Sequence, residues 1–380
     1  MTSTICFPFI GDSVGGAHIS AITLIENIDR SQYSILIVVH ELGVLSDYIA
    51  ERGHEICYLP LKSYAGTQPK YSSIILSIMA NFKTIRKFCF DKNIDLVHGN
   101  DLRINLTWGL SLIFSNIIFV WHQRAIPKSD SKIWKIVPYF VGKVLVISKA
   151  IEIYFKTKLA ELPILVFNPI TIDSSNLKKK KHNRKKLREK FGLKSNDIVI
   201  CFVGRLIPMK NLDVFIRILA RLNASKNNPR IYGVVIGSDP LNLRTQYEQE
   251  AAIENVQELI FFLGFRKNIG MYISGSDVLV APSYPEGFGR VLVEAMLLKT
   301  PVVASNGAGH KEIVKTGQNG LLAGINDEID FRNCVERYLT DLNFKNQIIE
   351  QAYYDALKNF SASSHATAVQ QIYSDLLKTK

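Results

Sequence analysis

The stretch DVLVAPSYPEGFGRVLVEAM, residues 277–296, holds a complete strand–turn–helix step. Its β-branched run ends at Pro282, Gly287 and Gly289 make the turn, and VLVEAM resumes with the apolar density of a helix lying on a sheet. Such a step is the repeating unit of parallel α/β sheets, and the same alternation extends in both directions. PVVAS follows it, and IVICFVG, RIYGVVIG and LIFFLG precede it. An earlier series reads ICFPFI, SILIVVH, EICYLPL, DLVHGN, IIFVWH, KVLVIS and PILVFN, with helical segments that include 16–29 and 72–92, and the C-terminal segment reads as helix throughout. This pattern predicts an α/β chain of two doubly wound, Rossmann-like domains. The N-terminal domain is expected at 1–175, a basic linker at 176–190, the second domain at 191–360, and a C-terminal helix at 361–380 packing back toward the first domain.

The bulk properties agree with two cores: 380 residues, 47% hydrophobic, suit two domains better than one. Cys6, Cys57, Cys89, Cys201 and Cys334 are scattered without metal-like spacing, which argues against a disulfide framework or a zinc site. The N-terminus MTSTICFPFIGDS lacks the regions of a signal peptide, and the apolar Thr107–Trp121 stretch is shorter than the roughly 20 residues of a membrane span. A cytoplasmic location follows as the expectation, with peripheral contact at the inner face of the membrane as an extension. The net charge of +12 is concentrated: residues 178–190, KKKKHNRKKLREK, hold nine Lys/Arg against the single acid Glu189. A solvated linker running into a surface helix explains that run better than nucleic-acid binding, because no aromatics interleave with it.

In open parallel sheets ligands bind beyond the carboxyl ends of the strands, so the loops there carry the chemistry. Three such loops stand out. In PSYPEGFGRVLVE, Glu286 and Glu294 flank a glycine turn whose following helix offers free N–H groups to a phosphate or a sugar hydroxyl. In VGRLIPMKN, Arg205 provides a rigid fork and Lys210 a mobile point charge, together able to neutralise a diphosphate without a metal. In GDSVGGA, Gly15 and Gly16 open the first helix as a phosphate-binding loop would, in a pattern that is neither GxGxxG nor a Walker loop.

Together these loops resemble the retaining glycosyltransferases of the GT-B fold, family 4, also called glycosyl transferases group 1. The resemblance is densest from Val203 to Leu322, where VGRLIPMKN, the glutamate loop, TPVVASNGAGHKEIV and GQNGLLA occur in the family's order, and it thins in the first domain to the GG loop, DLVHGN and VLVIS. It implies a hexosyltransferase taking a UDP- or GDP-sugar and passing the sugar to a glycan or lipid-linked acceptor, with no metal and no other cofactor. Cell-envelope polysaccharide or lipopolysaccharide biosynthesis is the implied setting. Arg205 and Lys210 are implied to bind the diphosphate, Glu294 the ribose and Glu286 the transferred sugar. Phe288, Gly289, Arg290 and Val291 are implied to line sugar and phosphates, and Gly15 and Gly16 to touch the donor from the other domain. His122, in WHQR, resembles the family's histidine after the fifth strand and is assigned a catalytic place beside Glu286. The chain departs from the family at Asn168-Pro169, where an Asn-Gly pair is common, and at Asn100, where many relatives carry a second histidine.

Of the other histidines, His40, His54, His182 and His365 read as surface or strand-end residues. A nicotinamide-dependent oxidoreductase is disfavoured by the missing GxGxxG; a sugar-nucleotide epimerase of similar shape is the alternative. The stretch 128–143, with Trp134, Tyr139 and four lysines, suits contact with an anionic membrane.

Overall fold

A computed structural model describes residues 2–61, 71–124, 141–156, 163–224 and 229–378. The chain divides into two compact units, Met1–Pro169 with Ser361–Lys380, and Ile170–Phe360. The expected membrane stretch 128–143 falls, except for Lys143, within residues 125–142, most of which lie outside the described residues.

The first unit is built on seven parallel strands: β1 (Ser3–Phe9), β2 (Tyr33–Val39), β3 (Cys57–Tyr58), β4 (Leu96–Gly99), β5 (Ile118–Gln123), β6 (Lys143–Val146) and β7 (Ile164–Leu165). Their order is β3-β2-β1-β4-β5-β6-β7. Alternation of side chains along β1 feeds two cores. Ile5, Phe7 and Phe9 pack with Ile22, Leu24 and Tyr373 on one face, and Cys6 packs with Val97, Trp108 and Trp121 on the other. Both faces are covered, which is why these strands read as continuous apolar runs. The helix Ala362–Lys378 belongs to this unit, and it delivers Tyr373 to the first of those cores.

The second unit carries β8 (Ile198–Val203), β9 (Ile231–Ile236), β10 (Ile260–Phe262), β11 (Val278–Ala281), β12 (Val302–Ser305) and β13 (Leu321–Ala323), in the order β10-β9-β8-β11-β12-β13, again parallel. Strand β13 is absent from the sequence expectation. Three residues directly before a long helical segment give too short a period-2 signal to separate from a turn. In both sheets the chain order reverses between the first strand of the unit and its fourth, so the loops after β1 and β4, and after β8 and β11, open at topological switch points.

The expected linker at 176–190 is corrected. Residues Ser175–Lys178 and Lys180–Lys190 are helices of the second unit, the latter packed on the helix Gly270–Gly275. Part of its charge does structural work. Arg188, 3% exposed, donates to Asp277 Oδ2 at 2.6 Å and to the Asp197 carbonyl at 2.7 Å, and Arg184 pairs with the other oxygen of Asp277. The same Asp277 Oδ2 accepts from the Val199 amide at 2.8 Å, tying the starts of β8 and β11 together. Lys180 donates to the Leu298 carbonyl at 3.1 Å and to Thr300 Oγ1 at 2.9 Å, and burial lowers its pKa to about 8. Lys179, Lys181, Lys185 and Lys186 remain on the exposed face. Charge alone cannot reveal such a division, because it depends on which turns of the helix find carboxylates and carbonyls.

Candidate functional site

The loops after β8 and β11 are fastened to each other. Past Val203 the chain makes a 3-10 turn at Pro208–Lys210, and Asn211 follows in the left-handed region at φ 50°. Its side-chain amide donates to the Pro282 carbonyl at 3.0 Å and to Asn326 Oδ1 at 2.9 Å, and the Tyr284 amide donates to the Met209 carbonyl at 2.9 Å. Asparagine tolerates αL at low cost and brings a side-chain donor, so one residue both turns the chain and clips the loops. The clip places Lys210 Nζ in an ion pair with Glu286 Oε2, the two side chains 20% and 17% exposed. Arg205 stands exposed on the same loop as Lys210.

Backbone crowding fixes the glutamate loop from beneath. The Gly309 amide donates to the Glu286 carbonyl at 3.0 Å, and a Cβ on Gly309 would lie 2.7 Å from that oxygen. Gly289 adopts φ +85° at the start of the helix Arg290–Leu297, and a Cβ there would meet the His310 ring at 2.8 Å. Any larger residue at either position displaces the loop. His310, 1% exposed, is held through Nδ1 by Ser305, at 3.0 Å to Oγ and 3.3 Å to the carbonyl, with Ser283 Oγ 3.4 Å from Nε2. Burial lowers its pKa, Glu286 pulls it back up and Lys210 opposes that pull. Sequence reading undervalued Asn211 and His310; the signal for both was their position, immediately beside a cationic loop and a glycine-rich one.

Phe288 is buried against Phe360, ring centroids 5.6 Å apart, while Arg290 and Val291 open the helix with partial exposure. Glu294 sits among Leu292, Val293, Ala295 and Met296, all buried, with its side chain 16% exposed. Burial raises its pKa to about 6, and Arg290 Nη2, 3.9 Å from Oε1, opposes the rise. A raised carboxyl pKa means that ionisation costs folded-state stability, and this cost appears as pH rises from the ordinary 4.5 through about 6. Glu294→Gln is therefore expected to raise the melting temperature of the ligand-free chain at pH 7.5. The ionised carboxylate is the form that accepts hydrogen bonds from a diol. A ligand so held should bind roughly tenfold more weakly at pH 5 than at pH 7.5, and the Gln variant should lose that dependence. Calorimetric titration of a nucleotide across this range checks both.

In the first unit, Gly15 caps the helix Gly16–Asn27, and both Gly15 and Gly16 are exposed. The Gly15 amide donates to His18 Nδ1 at 3.1 Å, so that particular donor is turned inward. His18 Nε2 lies 4.0 Å from Asp101, which caps the helix Leu102–Ser111. His122, in β5, is fully buried with its Nδ1 3.1 Å from His98 Nε2 and 3.2 Å from Arg124 Nη2. His40 ends its strand but is buried, accepting from Trp108 Nε1 at 2.9 Å. His365 is 3% exposed and stacks on His122, which corrects its reading as a surface residue. The structure thus groups Arg205, Lys210, Glu286, Phe288, Gly289, Arg290, Val291 and Glu294 in the second unit. Gly15, Gly16 and His122 belong to the first.

Residues 183–355 match the family described as glycosyl transferases group 1. The UDP-Gal:alpha-D-GlcNAc-diphosphoundecaprenol alpha-1,3-galactosyltransferase of Escherichia coli is 23% identical across 96% of this chain and 97% of its own. The chain is a glycosyltransferase whose residues 183–355 carry the group 1 match. A D-inositol 3-phosphate glycosyltransferase of Stackebrandtia nassauensis is 31% identical over 51% of the chain, which spans 45% of that relative. The fold of the transferase is GT-B: the Anabaena protein HepE, crystallised with UDP, superposes with a TM-score of 0.80 over 98% of this chain and 100% of its own at 20% identity. Among the described residues, no helix of the transferase is long and apolar enough to cross a membrane.

Proposed function

We propose that the enzyme moves a sugar from a UDP- or GDP-sugar to a glycan or lipid-linked acceptor, with retention at the anomeric carbon, in cell-envelope polysaccharide or lipopolysaccharide assembly. The observation that carries this reading is the pairing of Lys210 with Glu286 on two clipped loops at a switch point, with Arg205 exposed on the same loop and Glu294 half-sunk one helix turn beyond. A cation beside a carboxylate meets the needs of a reaction that parts a diphosphate from an oxocarbenium-like sugar, since each developing charge finds its complement. Arg205 and Lys210 take the leaving diphosphate, Glu286 faces the sugar, and Glu294 accepts from the ribose diol. Phe288, Gly289, Arg290 and Val291 border the sugar and phosphates, while Gly15, Gly16 and His122 act from the first unit. The acceptor oxygen bonds to the anomeric carbon as the carbon–oxygen bond to the nucleotide breaks on the same face, and the acceptor proton passes to the departing phosphate. The UDP complex of HepE and the undecaprenol-linked substrate named for the E. coli relative support the donor and acceptor classes. The comparisons lend the epimerase alternative no support.

Thermal shifts with UDP-, GDP- and ADP-sugars test the donor, because a ligand present at about 100 times its Kd stabilises the folded state by about 2.7 kcal/mol. A shift with a UDP- or GDP-sugar is expected, and silence across the panel overturns the assignment. Product NMR with the responding donor should show the donor's anomeric configuration kept. The same assay in EDTA should run at an unchanged rate, since the proposed charge complement is supplied by Arg205 and Lys210; loss in EDTA and recovery with magnesium would defeat the metal-free part of the reading. A cytoplasmic enzyme is the proposed setting, and a lipid-linked acceptor such as the one named for the E. coli relative would bring it to the inner face of the membrane.

A further inference from the structure

The buried side chains around His122 come from three elements: His98 from β4, His122 with the following Arg124 from β5, and His365 with Tyr373 from the C-terminal helix Ala362–Lys378. Hydrogen positions on imidazoles are assigned from their partners, and here one partner settles the whole chain. Arg124 Nη2 lies 3.2 Å from His122 Nδ1. A guanidinium only donates, so this nitrogen of His122 is bare. His98 Nε2 lies 3.1 Å from the same bare nitrogen, so it carries a hydrogen. A neutral His98 then presents a lone pair at Nδ1, and the Tyr373 hydroxyl donates to it at 2.6 Å. The relay runs from Tyr373 through His98 to His122 and leaves the His122 proton on Nε2, a buried atom with no partner among the described residues.

We propose that His98 and Tyr373 are positioning residues that hold His122 as its neutral Nε2–H tautomer, so that His122 meets substrate as a hydrogen-bond donor to an oxygen and never as a proton-accepting base. The proposal rests on the reading that His122 touches substrate. A base would have to take its proton at Nδ1, where two donors already point. The surroundings oppose a second proton as well. His365, whose Nδ1 donates to the Phe167 carbonyl at 2.7 Å, stacks at 5.9 Å, and Arg124 adds its charge. Burial and that charge hold His98 and His122 well below the ordinary imidazole range and His365 at about 3. The groups acting on His122 are Arg124, His98 and His365, with no carboxylate among them to favour the imidazolium. Phe7 stacks on His98 at 5.1 Å and His365 stacks on His122, so each ring is packed against a neighbour.

The test uses the full chain labelled with 15N-histidine, its His122 signals assigned by their loss in His122→Gln. The expected result is an Nε2–H pattern that does not titrate between pH 6 and 8; an Nδ1–H tautomer or an imidazolium overturns the proposal. Activity supplies a second reading. Glutamine can donate as Nε2–H does but cannot act as a base, so His122→Gln should stay within about tenfold of the native kcat while His122→Leu loses about 100-fold. Equal losses in the two would overturn the donor role. His98→Leu should lower kcat about tenfold with KM little changed, and His98→Gln, whose amide can donate to His122, should recover most of it. Native rates in both His122 variants would refute the contact with substrate, whereas the NMR pattern reports on the tautomer regardless, so the two failures are told apart.

Discussion

Glu286→Gln is expected to lower turnover by roughly 100-fold or more while donor affinity changes little. The substitution keeps the shape of the side chain and removes only its charge. The backbone that carries it is held independently, through the Gly309 amide on the Glu286 carbonyl and the Tyr284 amide on Met209, so the loop has no reason to move. An amide can still lie against Lys210, but it offers no negative charge to a sugar gaining positive character. The effect should therefore fall on kcat, because the charge matters most when the bond to the diphosphate is breaking. Thermal unfolding serves as the control, with a melting temperature near the native one expected. A normal rate in a well-folded variant would place the reaction centre away from Glu286.

The legibility of this chain in its sequence follows from what each signal depends on. Parallel strands buried on both faces advertise themselves as apolar runs, and β1, β2, β4, β5, β8 and β9 were readable to within a residue or two. Strand β13, three residues long, was not set by any periodicity of its own and is a strand because β12 offers it a ladder, while β3, read within EICYLPL, pairs with β2 over only two residues. The cationic helix Lys180–Lys190 was misread because Asp277, which neutralises Arg184 and Arg188, lies some ninety positions away. The candidate site divides in the same way. The loops that carry Arg205, Lys210 and Glu286 and the helix that carries Glu294 were legible because they follow apolar strand runs, and the roles given to these residues are proposals. The relay from Tyr373 to His98, 275 positions apart along the chain, was invisible because only the folded C-terminal helix joins its members.

Lys210→Ala and Arg205→Ala should each cost roughly 2 to 4 kcal/mol of transition-state stabilisation, read as a loss of about 30- to 1000-fold in kcat/KM. The two cations differ in what else they do, and that difference separates a role in the reaction from a role in the fold. Lys210 is paired with Glu286 and only 20% exposed, so its removal leaves a half-buried carboxylate without its counter-charge; a stability loss of about 1 kcal/mol should accompany the loss of activity. Arg205 is exposed and follows the buried β8 at Val203-Gly204, so Arg205→Ala should leave the melting temperature unchanged. Its effect on rate then has no structural explanation and reports on the diphosphate directly. Arg205→Lys should recover only part of the rate, since a single ammonium replaces a fork that can hold two phosphate oxygens at once. Native kcat/KM in Arg205→Ala, with Lys210→Ala impaired only in proportion to its lost stability, would remove both cations from the reaction and leave the Lys210–Glu286 pair as a clasp between loops.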